Sequence, residues 1–119
     1  MIEPAKYYEI MEQPFRALDP DRTGFMNFGL WPADTLKEAQ ENLVRATLDA
    51  LALQPGDPKR VLEAGSGWGA SRRLVGAKFP GLAYVGVNFS RNQVEHSRAV
   101  NRSVPQTTYV QAEIGRAHV

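Results

Sequence analysis

One short run holds most of the residues that could do chemistry: Glu63-Ala64-Gly65-Ser66-Gly67-Trp68-Gly69, a carboxylate followed by three glycines at alternate positions. Glycine lets backbone adopt positive φ and approach a ligand where a Cβ would intrude, and the first N–H groups of a following helix point outward at a polar partner. Such a turn suits a cofactor. The structural alternative is a glycine turn needed only for close strand-to-helix packing. Two cofactor chemistries fit. Gly65-x-Gly67-x-x-Ala70 satisfies the dinucleotide fingerprint, whose last glycine can be Ala, and would serve an NAD(P)-dependent oxidoreductase. Against it, Glu63 at a strand end attracts an amino group and repels a pyrophosphate. Gly69 extends the pattern to Glu-x-Gly-x-Gly-x-Gly, and Asn88, 21 residues beyond Gly67, offers a ribose hydroxyl both donor and acceptor where the usual acid is missing.

The elements that must position these residues follow from periodicity. Arg60 to Ala64 is a predicted strand, Gly65 to Gly69 a tight turn, and Ala70 to Phe79 a helix with Leu74, Val75 and Phe79 on one side. Leu82 to Val87 is a second strand, Ser90 opens a second helix through a Ser-x-x-Gln capping box with Gln93, and Thr107 to Ala112 is a third strand. This βαβ rhythm predicts an α/β fold with a parallel sheet. Ahead of it, Leu36, Ala39, Leu43, Ala46, Ala50 and Leu51 recur at helical steps, with Asp34 as expected N-cap and Gln54-Pro55-Gly56-Asp57-Pro58 as the stop. Residues 5–31 carry Tyr7, Tyr8, Phe15, Phe25, Phe28 and Trp31 among turn formers, read as a short helix around Tyr7 to Met11 and then a loop.

At this point the sequence resembles a known family. Glu63 to Gly69 is similar to motif I of the class I S-adenosylmethionine-dependent methyltransferases, and Tyr84-Val85-Gly86-Val87-Asn88-Phe89-Ser90-Arg91-Asn92-Gln93 to their second-strand motif. Asn27-Phe28-Gly29-Leu30-Trp31 with Thr35-Leu36-x-x-Ala39 resembles the small-molecule branch, which includes sterol, tocopherol and natural-product methyltransferases. The resemblance implies S-adenosyl-L-methionine as cofactor, a small-molecule acceptor and a Rossmann-like sheet. It implies that Glu63 holds the methionine amino group, that Gly65, Ser66 and Gly67 line the methionine and ribose, with Gly69 a further cofactor-binding residue of the same turn, that Asn88 meets the ribose, and that Phe89 packs near the adenine. Gln93 is expected only to cap its helix. Methyl transfer from a sulfonium is a displacement, so alignment and exclusion of water matter most, and a base is needed only where the acceptor must lose a proton. No residue is assigned as that base. His96 is read as a solvated helix residue, as are Arg72 and Arg73. Trp31 and Phe28 are the expected acceptor-pocket residues, and Tyr7 the expected core one.

Composition bounds the rest. The 119 residues allow one domain at most, and 14 Lys+Arg against 13 Asp+Glu leave a net charge of +1 with no basic block, which speaks against nucleic acid as a partner. The absence of cysteine excludes disulfides and a thiolate nucleophile, and no metal site is expected. The uncharged run from Phe79 to Ser90 is 12 residues long and broken by Pro80 and Gly81, short of the roughly 20 needed to span a bilayer. Without a signal-like N-terminus, the expected location is cytoplasmic.

Three parts are expected: an N-terminal helical and aromatic cap over 1–57, the first half of a Rossmann-like domain over 58–112, and a tail over 113–119. The tail resembles the in-frame translation of a sequencing-library adapter. The chain is therefore expected to be an N-terminal fragment, inactive by itself and native only to Ala112. A non-catalytic nucleotide-binding module is the alternative outside enzymes.

Overall fold

The computed structural model describes residues 3–17, 19, 22–54 and 56–113. The side chains of Tyr8 and Phe15, Pro55 of the expected helix stop, and the tail beyond Glu113 lie outside the described residues. The elements are α1 (Pro4–Ile10), α2 (Glu12–Ala17), α3 (Leu36–Ala50), β1 (Arg60–Ala64), α4 (Arg72–Lys78), β2 (Ala83–Asn88), α5 (Arg91–Val100) and β3 (Thr107–Gln111). The expected strands and the three longer helices are present, with α4 starting two residues later than the apolar pattern suggests, whereas the N-terminal helix begins at Pro4 and a second one, α2, stands where a loop was expected. The strands form one parallel sheet in the order β1-β2-β3, connected through α4 and α5. The α/β, Rossmann-like expectation, three strands with helices ahead of them, is borne out.

Side chains alternate across a strand, so register decides which residues meet the helices. Glu63 lies opposite Gly86, and Gly86 opposite Tyr109. On β2 the buried positions are Tyr84, Gly86 and Asn88, and these face the helices. The core beneath them joins Leu48 of α3, Val75 of α4, Phe79, Leu82, Tyr84, Val94 of α5 and Tyr109, with Val44 and Val61 packed at its margin. Leu74, Val75 and Phe79 are buried as the spacing predicted.

Helix α3 differs in two respects. Its N-cap is Thr35 rather than Asp34: Thr35 Oγ1 accepts from the Glu38 N–H at 3.1 Å, while the Asp34 N–H donates to Glu38 Oε2 at 2.8 Å. Its buried residues are Ala39, Gln40 and Leu48, whereas Leu36, Leu43 and Leu51 are exposed. The rotation has a cause. The segment around Gly29 crosses the helix so closely that a Cβ on Gly29 would stand 2.4 Å from Ala39 Cβ, Leu30 N donates to Ala39 O at 2.8 Å, and Gln40 Nε2 donates to Asn27 O at 2.9 Å. Ion pairs from α4 hold the other side, Arg73 to Glu41 at 3.0 Å and Lys78 to Asp49 at 2.7 Å. Burial pushes the Glu41 carboxyl up, but hydrogen bonds and charge from Arg73 and Arg45 outweigh it and hold the group below its ordinary value.

Candidate cofactor site

The glycine turn sits where β1 ends. Gly65 N and Ser66 N both donate to Val87 O, at 2.8 and 3.1 Å, which pins the turn to the end of β2. Gly65, Gly67 and Gly69 all have positive φ, at +73°, +57° and +82°. Their surroundings differ. A Cβ on Gly65 or Gly67 would meet nothing within 4 Å, so backbone there borders open space. A Cβ on Gly69 would lie 2.8 Å from Asn101 Nδ2 and 2.9 Å from Ser97 Cβ. Gly69 is thus a correction to the expectation of a cofactor-binding residue: it is a packing glycine against α5, as the structural alternative required, while Gly65 and Gly67 form a cradle. Ser97 Oγ also reaches Gly67 O at 3.0 Å, and Asn101 Nδ2 donates to Gly69 O at 3.1 Å. Between the two open glycines, Ser66 is buried and its Oγ is the one buried side-chain polar atom among the described residues without a hydrogen-bond partner.

Glu63 is half-buried on the helix-facing side of β1. Ser71 Oγ lies 2.6 Å from Glu63 Oε1 and 2.5 Å from Oε2, and the Tyr84 hydroxyl also donates to Oε2. Burial first, then the Glu63 charge, raises the Tyr84 phenol far above its ordinary value, so it remains a donor. Arg72 is a correction to the expectation of a solvated side chain. It is buried, its Nε donates to Thr107 Oγ1 at 2.8 Å, and its guanidinium lies 5.1 Å from the Tyr84 ring centroid. The residue spans from α4 to the start of β3, so its charge is satisfied inside the sheet edge rather than in water. Arg73 is exposed, as expected.

At the end of β2, Asn88 is buried and its Nδ2 donates to Gln93 Oε1 at 2.6 Å. Gln93 does more than cap. Its N–H donates to Ser90 Oγ at 3.3 Å, but its side chain turns into the site, where Nε2 lies 3.9 Å from Met26 Sδ. The reciprocal half of a capping box is absent because Asn88 offers the carbonyl a buried donor. Phe89 is half-buried, with its carbonyl accepting from Gln111 Nε2 at 3.2 Å.

Beside the turn lies a cavity of about 460 Å³ between Arg16, Asp19 and residues 22–26 on one side and Trp68, His96 and Val100 on the other. Trp68 Nε1 donates to Met26 Sδ at 3.0 Å, and Arg16 stands 4.8 Å above the indole. His96 is half-buried with its ring edge-on to Trp68 at 5.1 Å, a packing role in place of the solvated one expected. Phe28 and Trp31 pair with each other at the surface: Phe28 is 85% and Trp31 53% exposed, and Trp31 Nε1 donates to Phe28 O at 3.0 Å. Neither lines that cavity. Tyr7 is exposed rather than in the core. Met26, Ser71, Tyr84, Ser97 and Asn101 are site neighbours that motif spacing does not single out. For Tyr84 the signal was present in its place on the same strand face as Asn88, and for Ser97 in its position one helical turn after Gln93.

Comparison with known proteins places the chain in a family. The sequence profile described as mycolic acid cyclopropane synthetase matches residues 3–115. Cyclopropane mycolic acid synthase 2 of Mycobacterium bovis is 35% identical over 83 residues, 70% of this chain and 26% of the relative. The S-adenosylmethionine-dependent methyltransferase UmaA of Mycobacterium tuberculosis is 34% identical over 80 residues, 67% of this chain and 27% of its own. Among solved structures, the cyclopropane synthase MmaA2 from Mycobacterium tuberculosis superposes with a TM-score of 0.73 at 30% identity, covering 88% of this chain and 37% of that one. The mycolic acid cyclopropane synthase CmaA1, complexed with SAH and CTAB, gives 0.73 at 29%, covering 88% and 37%. The chain thus spans about a quarter to a third of the curated relatives it matches. Nothing in these comparisons supports the oxidoreductase alternative. The expected class I S-adenosylmethionine-dependent methyltransferase relationship is borne out, and the chain belongs to the mycolic acid cyclopropane synthetase family.

Proposed function

We propose that the chain is the cofactor-binding part of an S-adenosylmethionine-dependent transferase that acts on a small, lipid-like acceptor. The observation that carries this reading is the cradle at Gly65 and Gly67, open to beyond 4 Å, with an unpartnered buried Ser66 hydroxyl and the Glu63 carboxylate beside it. A group with an amine, a ribose and hydrogen-bonding edges fits that donor set, whereas a pyrophosphate would face Glu63.

When bound, S-adenosylmethionine supplies an electrophilic methyl group on a sulfonium. The residues here hold and orient. Glu63 accepts from the amino group, the Gly65–Gly67 backbone and Ser66 Oγ line the methionine and ribose, Asn88 meets the ribose hydroxyls, and Phe89 borders the adenine. Gly69 keeps the turn in place against α5. Phe28 and Trp31 are offered as acceptor-side residues, exposed aromatic surface suited to an apolar chain. The lipid class rests on the names of the mycobacterial relatives and on the shared family. Among the described residues no helix is long and apolar enough to cross a membrane, and a cytoplasmic setting is part of the proposal.

Isothermal titration tests the reading. S-adenosylhomocysteine should bind the chain and NAD should not, and Glu63→Gln should weaken S-adenosylhomocysteine while leaving adenosine almost unaffected. Binding of NAD in preference, or equal losses for both adenosyl ligands, would overturn the assignment.

A further inference from the structure

The two hydroxyl groups on Glu63 have no place in the roles given so far. A carboxylate has about four acceptor directions. Here the Ser71 hydroxyl, from the start of α4, straddles the carboxylate at 2.6 Å from Oε1 and 2.5 Å from Oε2, and the Tyr84 hydroxyl donates to Oε2 from the neighbouring strand. Both donors are buried, so two fixed protons set the plane of the carboxylate and leave its other directions for an incoming donor. Ser71 is the N-cap of α4 but makes no side-chain cap bond. Its hydroxyl is committed to Glu63 instead.

The phenol is itself held in place from several sides. Its ring lies edge-on to Tyr109, centroids 5.7 Å apart, beneath the Arg72 guanidinium. Tyr109 in turn fits only because residue 86 is glycine, since a Cβ there would stand 2.5 Å from its ring. Tyr84, Tyr109 and Gly86 therefore form a rigid shelf under Glu63 that a strand of ordinary aliphatic residues would not provide.

We propose that Tyr84, together with Ser71, is a positioning residue that fixes the Glu63 carboxylate in the orientation from which it receives the cofactor's amino group. This rests on the cofactor reading above. It predicts a loss that depends on whether the ligand has an amine, which a purely packing role would not produce.

The experiment compares S-adenosylhomocysteine with its deamino analogue, which keeps the carboxylate, and with 5′-methylthioadenosine, which lacks the whole amino-acid end, by titration into the full chain and into Tyr84→Phe and Ser71→Ala. The deamino analogue should behave as 5′-methylthioadenosine does. Tyr84→Phe keeps the ring and its packing. The expected result is a loss of about tenfold for S-adenosylhomocysteine, the order for one hydrogen bond to a charged group, with 5′-methylthioadenosine within about twofold of the unchanged chain. Thermal melting checks that each variant folds, and if Tyr84→Phe did not, Ser71→Ala carries the same comparison. Equal losses for S-adenosylhomocysteine and its deamino analogue, or no loss for either, would overturn the proposal while leaving the cofactor site standing. Failure of the unchanged chain to bind S-adenosylhomocysteine would remove the cofactor reading, and the proposal with it.

Discussion

Three glycines two residues apart do different work, and a methyl group tells them apart. At Gly67 the added Cβ enters open space, so Gly67→Ala should cost roughly 1–2 kcal/mol of stability for its positive φ, yet place a methyl where the ligand's backbone contacts must form. At Gly69 the same Cβ strikes Asn101 and Ser97, so Gly69→Ala should cost roughly 2–5 kcal/mol from strain and overpacking together. Melting curves should therefore rank Gly69→Ala as the less stable variant. Titration with S-adenosylhomocysteine should rank Gly67→Ala as the stronger loss per unit of stability. If the two variants melt alike and bind alike, the division into cradle and packing glycines is wrong. The run Glu63 to Gly69 was legible because its chemistry is local: spacing alone says where backbone is bare. Gln93 was not, because its side chain could serve Ser90 at short range or Asn88 across the turn. Only the burial of Asn88 decides between them.

Elements were legible in kind and less so in their facing. The helical period of α3 is plain, but a period does not say which of two adjacent stripes a crossing segment will cover. Contact with Asn27 and Gly29 chose Ala39 and Gln40 over Leu36 and Leu43. Arg72 was misplaced for a related reason: two neighbouring arginines look alike in sequence, and only the pairing of β3 with β2 brings Thr107 within reach of one of them. The β2–β3 pair also carries a pH signature. Burial pushes the Tyr109 phenol up to about 12, from an ordinary 10.0. Because the folded value is the higher one, its contribution to stability is intact below pH 10 and is lost as pH rises from 10 through 12. Denaturant midpoints measured from pH 9 to 12 should fall across that window, and Tyr109→Phe should fall less steeply, though from a lower start for want of the Asn101 bond. A slope unchanged in Tyr109→Phe would rule that residue out as the source.

At the scale of the molecule, the buried core among the described residues lies on one side of the sheet. Helices α3, α4 and α5 contribute Leu48, Val75 and Val94 to a core that meets Val61, Tyr84 and Tyr109, the helix-facing set of the strands. The alternate set, Leu62, Val85, Val87 and Val110, faces the other way. Leu62 is 68% and Val110 40% exposed, and Val85 and Val87 are only half-buried. Parallel sheets are ordinarily covered on both faces, because their strands are apolar throughout. Among the described residues β1 also pairs on one side only, leaving backbone donors and acceptors along its other edge. A bare apolar face next to an open parallel edge drives self-association, with Leu62 at the point where the two meet. The chain should therefore show sedimentation that depends on concentration and should enhance the fluorescence of a dye that binds apolar surface. Leu62→Lys should reduce both while leaving affinity for S-adenosylhomocysteine within about twofold, since its side chain points away from Glu63 and the glycine cradle. A variant that still associates as strongly would move the cause from this face to the exposed aromatics Phe28 and Trp31. A variant that loses binding would mean that the uncovered face helps to hold the turn.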